Sequence, residues 1–543
     1  YESKMLPSVL SQEMLFSRVA NFGKDTRQFP QDLLQETCDE IFEHLRPLAG
    51  EIFVLSDYQV LNGLDCLPKI DLDTSLGYPW NLETLEENGK KDVFENVKGE
   101  IRWKMSGLSD RIQDYTHDFI EKARRGERLF TIAMFTLKDE TRSIDKVFIN
   151  PKTRVFQACA IEFTYFARKV FGSFINLIVG DLELTSSKVG INANSFQWDV
   201  MSMEALSCGS EGYDGDFKDF DSSQKEPVMR GVFNIFRRLC IEANWSEENL
   251  NMVDVLEENV IKTLLVFDCY LVMKKLGNPS GWPGTTVMNS IVNEIIMLIV
   301  WKILCRENGM YAMTRSDYFN NNYMATFGDD NLIIPNPVTP WYNHRAVSEV
   351  FARYDISYTM TEKTAESEAL NKPFFLGLSF LKRKFENRNG NVICPLEVGS
   401  ILERFNWCHG SMMPMELYAH LQEAFYDLSY HDEELYNSVR IRFMKYADKH
   451  REFTNYRPPS YRGAYNAMVA RKFETIICEI TEIEGKEVVT IADDEYSVIL
   501  CDSYFEDEDD DNPRFLHVNS RSVHEFQGHP LESGDILTGS KIR

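Results

Sequence analysis

Hydrophobic and polar positions along this 543-residue chain follow periods that change from helix to strand and back several times. In 110–125, Ile112, Tyr115, Phe119 and Ala123 recur at helical spacing. The apolar run 129–137 has the length of a strand, and 147–161 is rich in β-formers. Helical patterns follow over 163–179 and 192–208, then a strand ending in carboxylates over 212–220. Helices are predicted over 227–242 and 247–266, and a strand over 268–275. A Gly/Pro loop then leads into a long apolar helix from about Thr285. The segments 323–327 and 331–334 flank Gly328-Asp329-Asp330, the pattern of a hairpin with carboxylates at its tip. Residues 400–470 carry Trp, Tyr, Met and Leu at helical spacing and read as a helical bundle. Beyond about Arg471 the texture changes to β-like segments at 475–483, 488–491 and 496–500, then to six consecutive acidic residues at 506–511. There is no internal repeat.

Composition narrows this picture. At ~150 residues per domain the length allows three or four folding units and a large core. Hydrophobic residues at 43% and charged residues at 26% are ordinary for a globular enzyme and exclude a disordered, collagen-like or transmembrane chain. The longest apolar stretch, 290–304, is interrupted by Asn293, Glu294 and Lys302 and reads as a buried core helix. No secretory signal pattern opens the chain. The 11 cysteines are odd in number and never spaced C-x-x-C, which argues against a disulfide framework or a zinc ribbon and fits a reducing compartment.

The net charge of −26 argues at first against a nucleic-acid partner. It is uneven. Residues 471–543 hold 7 Lys+Arg against 18 Asp+Glu, whereas 122–154 hold 9 against 4. A cationic island in an acidic chain points to a local anion site. Charge alone favours the plainer reading of a solvated helix face plus a strand with mixed charges.

Two sets of carboxylates carry the candidate chemistry. Asp216 and Asp221 lie in Tyr213-Asp-Gly-Asp-Phe-Lys-Asp-Phe-Asp-Ser-Ser223, and Asp329 and Asp330 are adjacent at a predicted turn. Hard divalent cations take oxygen ligands, and phosphoryl transfer uses two such ions a few ångströms apart. Two strands ending side by side would build that clamp. Each piece alone is ordinary turn chemistry. The loop Gly277-Asn-Pro-Ser280-Gly281-Trp-Pro-Gly284-Thr285 leads to Asn289 and offers neutral hydrogen bonds from Ser280, Thr285 and Asn289. Its spacings fit neither a Walker loop nor a dinucleotide fingerprint.

The ordered set is specific where its parts are not. Thr74-Ser-Leu-Gly77-Tyr78-Pro79, Lys138-Asp-Glu-Thr-Arg142, Asp216…Asp221, Pro279-Ser280-Gly281…Asn289, Phe327-Gly-Asp-Asp330, Thr359-Met-Thr-Glu-Lys363 and Phe380-Leu-Lys-Arg-Lys384 follow one another. Over about residues 60–410 the chain resembles the RNA-dependent RNA polymerases of picorna-like positive-strand RNA viruses, of the iflavirus or dicistrovirus kind. The aromatic before Gly-Asp-Asp, usually Tyr, is Phe327 here.

The resemblance implies an α+β fold: a closed right hand of fingers, palm (antiparallel sheet plus helices) and helical thumb, with a C-terminal extension. It implies fingers with an N-terminal segment at 1–206, palm at 207–231, fingers at 232–276, palm at 277–385 and thumb at 386–470. An acidic extension, with a small β-rich appendage, occupies 471–543. Asp216, Asp329 and Asp330 would hold Mg²⁺, for which Mn²⁺ substitutes, and Lys363 would protonate the leaving pyrophosphate. Lys138, Arg142, Lys146, Arg154, Asp221, Ser280, Gly281, Thr285 and Asn289 would bind the nucleotide, with Asp221 and Asn289 sensing the ribose 2′-hydroxyl. Thr74, Ser75, Gly77, Tyr78, Pro79, Lys382 and Arg383 would contact RNA.

The same resemblance implies RNA template and primer, NTPs, a small viral protein primer and other viral replication proteins as partners. It implies work in the host cytoplasm at remodelled membranes without direct transmembrane insertion. Two alternatives stand beside it. A reverse transcriptase would place a bulky aromatic near the sugar, where this chain has polar Asp221 and Asn289. A non-catalytic RNA-binding scaffold need not keep Asp216, Asp329, Asp330 and Lys363 together.

Overall fold

The structure is a computed structural model that describes residues 5–83, 89–149, 151–311, 313–361, 371–388, 390–407, 414–450, 456–471, 478–483, 486–491 and 496–499. It contains two compact units. One comprises Lys4–Gly190 and Ala205–Phe374; the other comprises Ile191–Glu204 and the described residues from Phe375 onward.

In the first unit the apolar stretch after the glycine-rich loop forms one helix, Thr285–Glu307. By length and composition this helix could cross a membrane, but 94% of its apolar window is buried inside the protein. The helices Gln31–Leu45, Glu226–Glu242 and His344–Arg353 and the strand Tyr323–Phe327 pack around it. Its two buried charges show how a core helix carries ionised groups: buried charge persists only when paired and hydrogen-bonded. The Lys302 ammonium lies 2.7 Å from Glu36 and 2.8 Å from Glu40. The Glu294 carboxylate accepts from Arg315 Nε at 2.7 Å and from the Ser186 N–H at 2.8 Å. Burial pushes the Glu294 carboxyl up, but the Arg315 charge and the Ser186 bonds outweigh it and leave it below the usual carboxylate range.

The two larger sheets among the described residues of this unit position the site. In one the strand order is Tyr323–Phe327, Asp330–Ile334, Glu211–Phe217, Tyr358–Met360, with Lys372–Pro373 also pairing with Glu211–Phe217, all antiparallel. In the other the order is Val155–Ala158, Ile132–Leu137, Leu264–Phe267, Tyr270–Met273. Here Ile132–Leu137 and Leu264–Phe267 run parallel.

Two sequence expectations change. The predicted helix 247–266 stops at Ile261, and Leu264–Phe267 is a strand. A short apolar run has no period that separates helix from strand, so pairing with Ile132–Leu137 decides it. The β-rich stretch 147–161 opens instead with a helical turn, Asp145–Ile149, before the strand Val155–Ala158. Pro151 has no N–H to give to a ladder.

The second unit is built on the helices Pro414–Leu428, Glu433–Ala447 and Tyr461–Arg471. Leu421, Phe425, Leu428 and Tyr436 form its core with Ile401. Trp198 stacks on Phe385, ring centroids 4.9 Å apart. Cys478–Ile483, Lys486–Ile491 and Tyr496–Ile499 form a three-stranded antiparallel meander. The acidic run 506–511 lies outside the described residues.

Arg315→Ala leaves the Glu294 carboxylate buried without its counter-ion, and is expected to cost about 3–5 kcal/mol of unfolding free energy, read by chemical denaturation at pH 7. Because the Glu294 carboxyl is depressed in the fold, its contribution is complete above the ordinary carboxylate range and lost as the pH falls through the depressed value. The Arg315→Met, Glu294→Leu pair should recover most of the loss at neutral pH. A single-variant shift below about 1 kcal/mol would show that the pair does not hold the core.

Candidate active site

The carboxylates meet because of sheet register. Gly215 on the central strand pairs with Asn331, and Asp216 pairs with Thr359 on the other side. One step further along the first pairing, the Gly328–Asp330 turn comes beside Asp216. That turn needs a left-handed residue, which Gly328 supplies at φ 65°. It is clipped by the long buried helix. Ser290 Oγ accepts from the Gly328 N–H at 2.8 Å, and Asn293 Nδ2 donates to the Gly328 carbonyl at 3.1 Å and the Asp329 carbonyl at 3.3 Å. Asp330 begins its strand exposed.

Burial pushes the Asp329 carboxyl up and the nearby Asp216 charge adds to this, against its backbone hydrogen bonds and Arg154. Burial likewise raises Asp221, with a bond from Asn289 opposing and the Asp329 charge reinforcing. The protein alone therefore does not fully compensate this clustered charge. Crowded, hard, acceptor-only oxygens are the donor chemistry of a divalent cation such as Mg²⁺, and Asp216 and Asp329 are the residues that would hold it. Among the described residues no three His, Cys, Asp or Glu side chains are grouped closely enough to form a metal site by themselves. The fit thus rests on the Asp216–Asp329 pair.

An open cleft of about 680 Å³ is lined by Asp216, Asp221 and Asp329 together with Arg18, Arg142, Lys146, Lys152 and Arg154. Its lining counts six cations against four carboxylates, so the cleft is locally cationic in a chain of net charge −26. Glu140 organises the cations. It accepts from Arg154 through Nε at 2.7 Å and through a second nitrogen, and from Arg142 at 3.3 Å. Lys138 stands 3.8 Å away. Burial raises the Glu140 carboxyl, but Arg154 and the other two cations overcome this and leave it low. The Glu140 bond, with Asp329 and Asp221 assisting, keeps Arg154 firmly protonated. The N-terminal segment supports this cationic stretch: Met5–Pro7 pairs with Thr141–Ser143, with Leu6 opposite Arg142. Arg18 Nε donates to the Thr153 carbonyl at 2.9 Å.

Several sequence candidates lie on this cleft or its second layer. Asp221 accepts from Asn289 Nδ2 at 2.6 Å. Ser280 lines the cleft, and its hydroxyl accepts from the Gln157 N–H at 3.1 Å. Gly281 packs so closely that a Cβ would sit 1.9 Å from the Gln157 carbonyl oxygen, which fixes the loop against the strand Val155–Ala158. The Thr285 hydroxyl, expected to reach a nucleotide, instead donates within its own loop to the Pro279 and Trp282 carbonyls, each 2.8 Å away. Lys138 does not line the cleft; its ion pair with Glu140 holds it in the cluster behind.

Thr74, Ser75 and Pro79 are exposed on a loop pinned by the Ile161 N–H on the Leu76 carbonyl at 2.9 Å. Gly77 is buried, and Tyr78 is partly exposed. In the second unit, Arg383 was expected to touch RNA. Its guanidinium instead bonds Asp427 at 3.1 Å and the Cys394 carbonyl at 3.0 Å, because the turn at Leu381 and Lys382 sends it inward. Lys382 remains exposed. Lys363 lies outside the described residues.

Sequence reasoning missed Arg18, Glu140, Asp219, Ser290 and Asn293. Asp219 takes Lys152 at 3.2 Å and Arg18 at 3.5 Å. Glu140 and Asp219 sit inside motifs already singled out and were findable there; Arg18 carries no local signal.

Residues 6–448 match the family described as viral RNA-dependent RNA polymerase. The replicase polyprotein of Acute bee paralysis virus (strain Rothamsted) is 24% identical over 80% of this chain and 24% of that polyprotein. The replicase polyprotein of Drosophila C virus (strain EB) is 30% identical over 68% of this chain and 21% of its own length. This chain thus spans a quarter or less of those relatives. The solved Sicinivirus 3Dpol RNA dependent RNA polymerase superposes with a TM-score of 0.67 at 17% identity, over 87% of this chain and 94% of that one. That likeness establishes the right-hand polymerase fold.

Glu140→Gln removes the charge that holds the Arg142–Arg154 cluster, and is expected to weaken binding of a non-hydrolysable nucleoside triphosphate about three- to tenfold by calorimetry. Unchanged affinity would remove Glu140 from any role in arranging those cations.

Proposed function

The chain belongs to the viral RNA-dependent RNA polymerases, and on that premise we propose that it copies RNA by two-metal nucleotidyl transfer to replicate a positive-strand RNA virus genome. The observation that carries this reading is the placement of Asp216 and Asp329 in one cleft with Arg142, Lys146, Lys152 and Arg154. Cations held by Asp216 and Asp329 would supply the charge that favours attack of a primer 3′-hydroxyl on the α-phosphate and steadies the leaving oxygen.

The chain's own residues do the rest. Arg142 and Arg154 offer planar forks to phosphate oxygens, and Lys146 and Lys152 offer mobile point charges. Glu140 presets the arginines, so less entropy is lost when a triphosphate arrives. Asp219 holds Arg18 and Lys152 at the same cleft. The Asp221–Asn289 pair presents hydrogen-bonding groups that suit a ribose 2′-hydroxyl, which supports NTPs over dNTPs as substrates. Lys363 enters the proposal through its motif alone, as the acid for the leaving pyrophosphate.

Template and primer RNA would be gripped through phosphates, so their affinity should fall steeply with salt. The relatives' names as polyproteins support other viral replication proteins as partners; a small viral protein primer enters the proposal through the family resemblance alone. The same resemblance supports assembly at remodelled membranes in the host cytoplasm.

The test is extension of an annealed RNA primer on an RNA template with Mg²⁺ and NTPs. The unsubstituted chain should extend the primer, and Asp329→Asn should lower the rate on the order of 100- to 1,000-fold while retaining the parent melting profile. Near-parental turnover in Asp329→Asn would refute the role of that carboxylate. Absence of any incorporation by the unsubstituted chain would favour a non-catalytic RNA-binding role.

A further inference from the structure

Behind the Asp221–Asn289 pair lies a buried chain of hydrogen bonds that nothing in the polymerisation chemistry uses. Trp282 Nε1 donates to Asn278 Oδ1 at 2.8 Å. Asn278 Nδ2 donates to Asn289 Oδ1 at 2.8 Å, and Asn289 Nδ2 donates to Asp221 Oδ1 at 2.6 Å. The Asn278 backbone N–H also reaches the Asp221 carbonyl at 2.8 Å. Trp282, Asn278 and Asn289 are at most 6% exposed, so water does not compete for these groups.

The direction of this chain is fixed at both ends. An indole N–H can only donate, and a carboxylate can only accept. An asparagine amide in isolation can turn over, exchanging oxygen and nitrogen at little cost. Here Trp282 obliges Asn278 to face it with oxygen, and the Thr285 carbonyl, 3.3 Å from Asn278 Nδ2, requires the same orientation, which turns the Asn278 nitrogen toward Asn289. Asn289 must then receive that donor with its oxygen and show its nitrogen to Asp221. Gln224 Nε2 also donates to Asn289 Oδ1, at 2.5 Å. The Gln224 Oε1 atom, however, is buried with no partner among the described residues. Gln224 can therefore follow the orientation of Asn289 but has no second bond with which to dictate it. Trp282 is itself held by Phe171 and Phe233, with ring centroids 5.3 and 6.3 Å away.

We propose that Trp282 and Asn278 are positioning residues for sugar selection: the indole anchors Asn278, and Asn278 in turn holds the Asn289 amide oxygen, so that Asn289 stands rigidly in the orientation that the Asp221 carboxylate requires. This rests on the reading of Asp221 and Asn289 as the ribose sensors. Without the indole donor, Asn278 Oδ1 is left buried and unpaired, Asn278 shifts, and Asn289 is held less firmly against Asp221. A looser pair discriminates less well between a ribose hydroxyl and a deoxyribose hydrogen.

The experiment is single-nucleotide extension of an annealed RNA primer with Mg²⁺, comparing kcat/KM for an NTP and its 2′-deoxy counterpart. The variants are Trp282→Phe, which keeps an aromatic ring and removes only the donor, Asn278→Leu, and Asn289→Ala as reference. Both Trp282→Phe and Asn278→Leu are expected to narrow the NTP/dNTP ratio about three- to tenfold, the worth of one buried hydrogen bond. Trp282→Phe should change the ratio no further when Asn289 is already Ala, since the two act through one path. A merely structural defect would lower both nucleotides equally and leave the ratio unchanged, and that result overturns the proposal. If Asn289→Ala narrows the ratio while Trp282→Phe and Asn278→Leu do not, the relay fails and the sensor reading stands. If Asn289→Ala leaves the ratio unchanged, the sensor reading fails and the relay falls with it.

Discussion

Carboxylates of like charge do not gather unless the fold forces them together, and the site depends on how this is done. The long helix Thr285–Glu307 is almost wholly buried, yet Asn289, Ser290 and Asn293 lie along its first turns. Asn289 bonds Asp221, Ser290 takes the Gly328 N–H, and Asn293 bonds the carbonyls of Gly328 and Asp329. One rigid element thus fixes two acidic segments that are distant in sequence. The register of Glu211–Phe217 against Asp330–Ile334 does the same from the sheet side. The cost is visible in the raised Asp221 and Asp329 carboxyls. A site so charged is poised for a counter-ion.

The cations obey the converse rule. Arg142, Arg154 and Lys138 would repel one another, and Glu140 gathers them. Asp219 does this for Arg18 and Lys152. Asp219 lines the cleft beside its two cations, while Glu140 holds its own from behind. An acidic chain of net charge −26 can therefore attract a polyanion, because the sign inverts locally where the substrate would lie.

The fold class was legible because the strongest signals are local and periodic: the carboxylate-tipped hairpin, the apolar helix after the glycine-rich loop and the helical residues near the C-terminus. The short apolar run at Leu264–Phe267 was not, since its state is decided by a parallel partner more than a hundred residues away in sequence. Within the site, Asp216, Asp221, Asp329 and Asn289 were identifiable because type and order carry the chemistry, and the structure brings them together. Arg18, and the bonds from Trp282 and Asn278, were invisible because no spacing encodes a contact between separate loops. Thr285 and Arg383 show the opposite limit. Each has the right chemistry for a ligand, and each is used by the protein itself.

The central claim is that Asp216 and Asp329 act as one cation site. Titration of Mn²⁺ followed by electron paramagnetic resonance tests this directly, with the parent chain, Asp216→Asn, Asp329→Asn and the double variant. One shared site requires that either single substitution weaken the same bound population, with the double variant little worse than the stronger single. Mn²⁺ binding that survives both substitutions, or losses that simply add as from two separate sites, would contradict it.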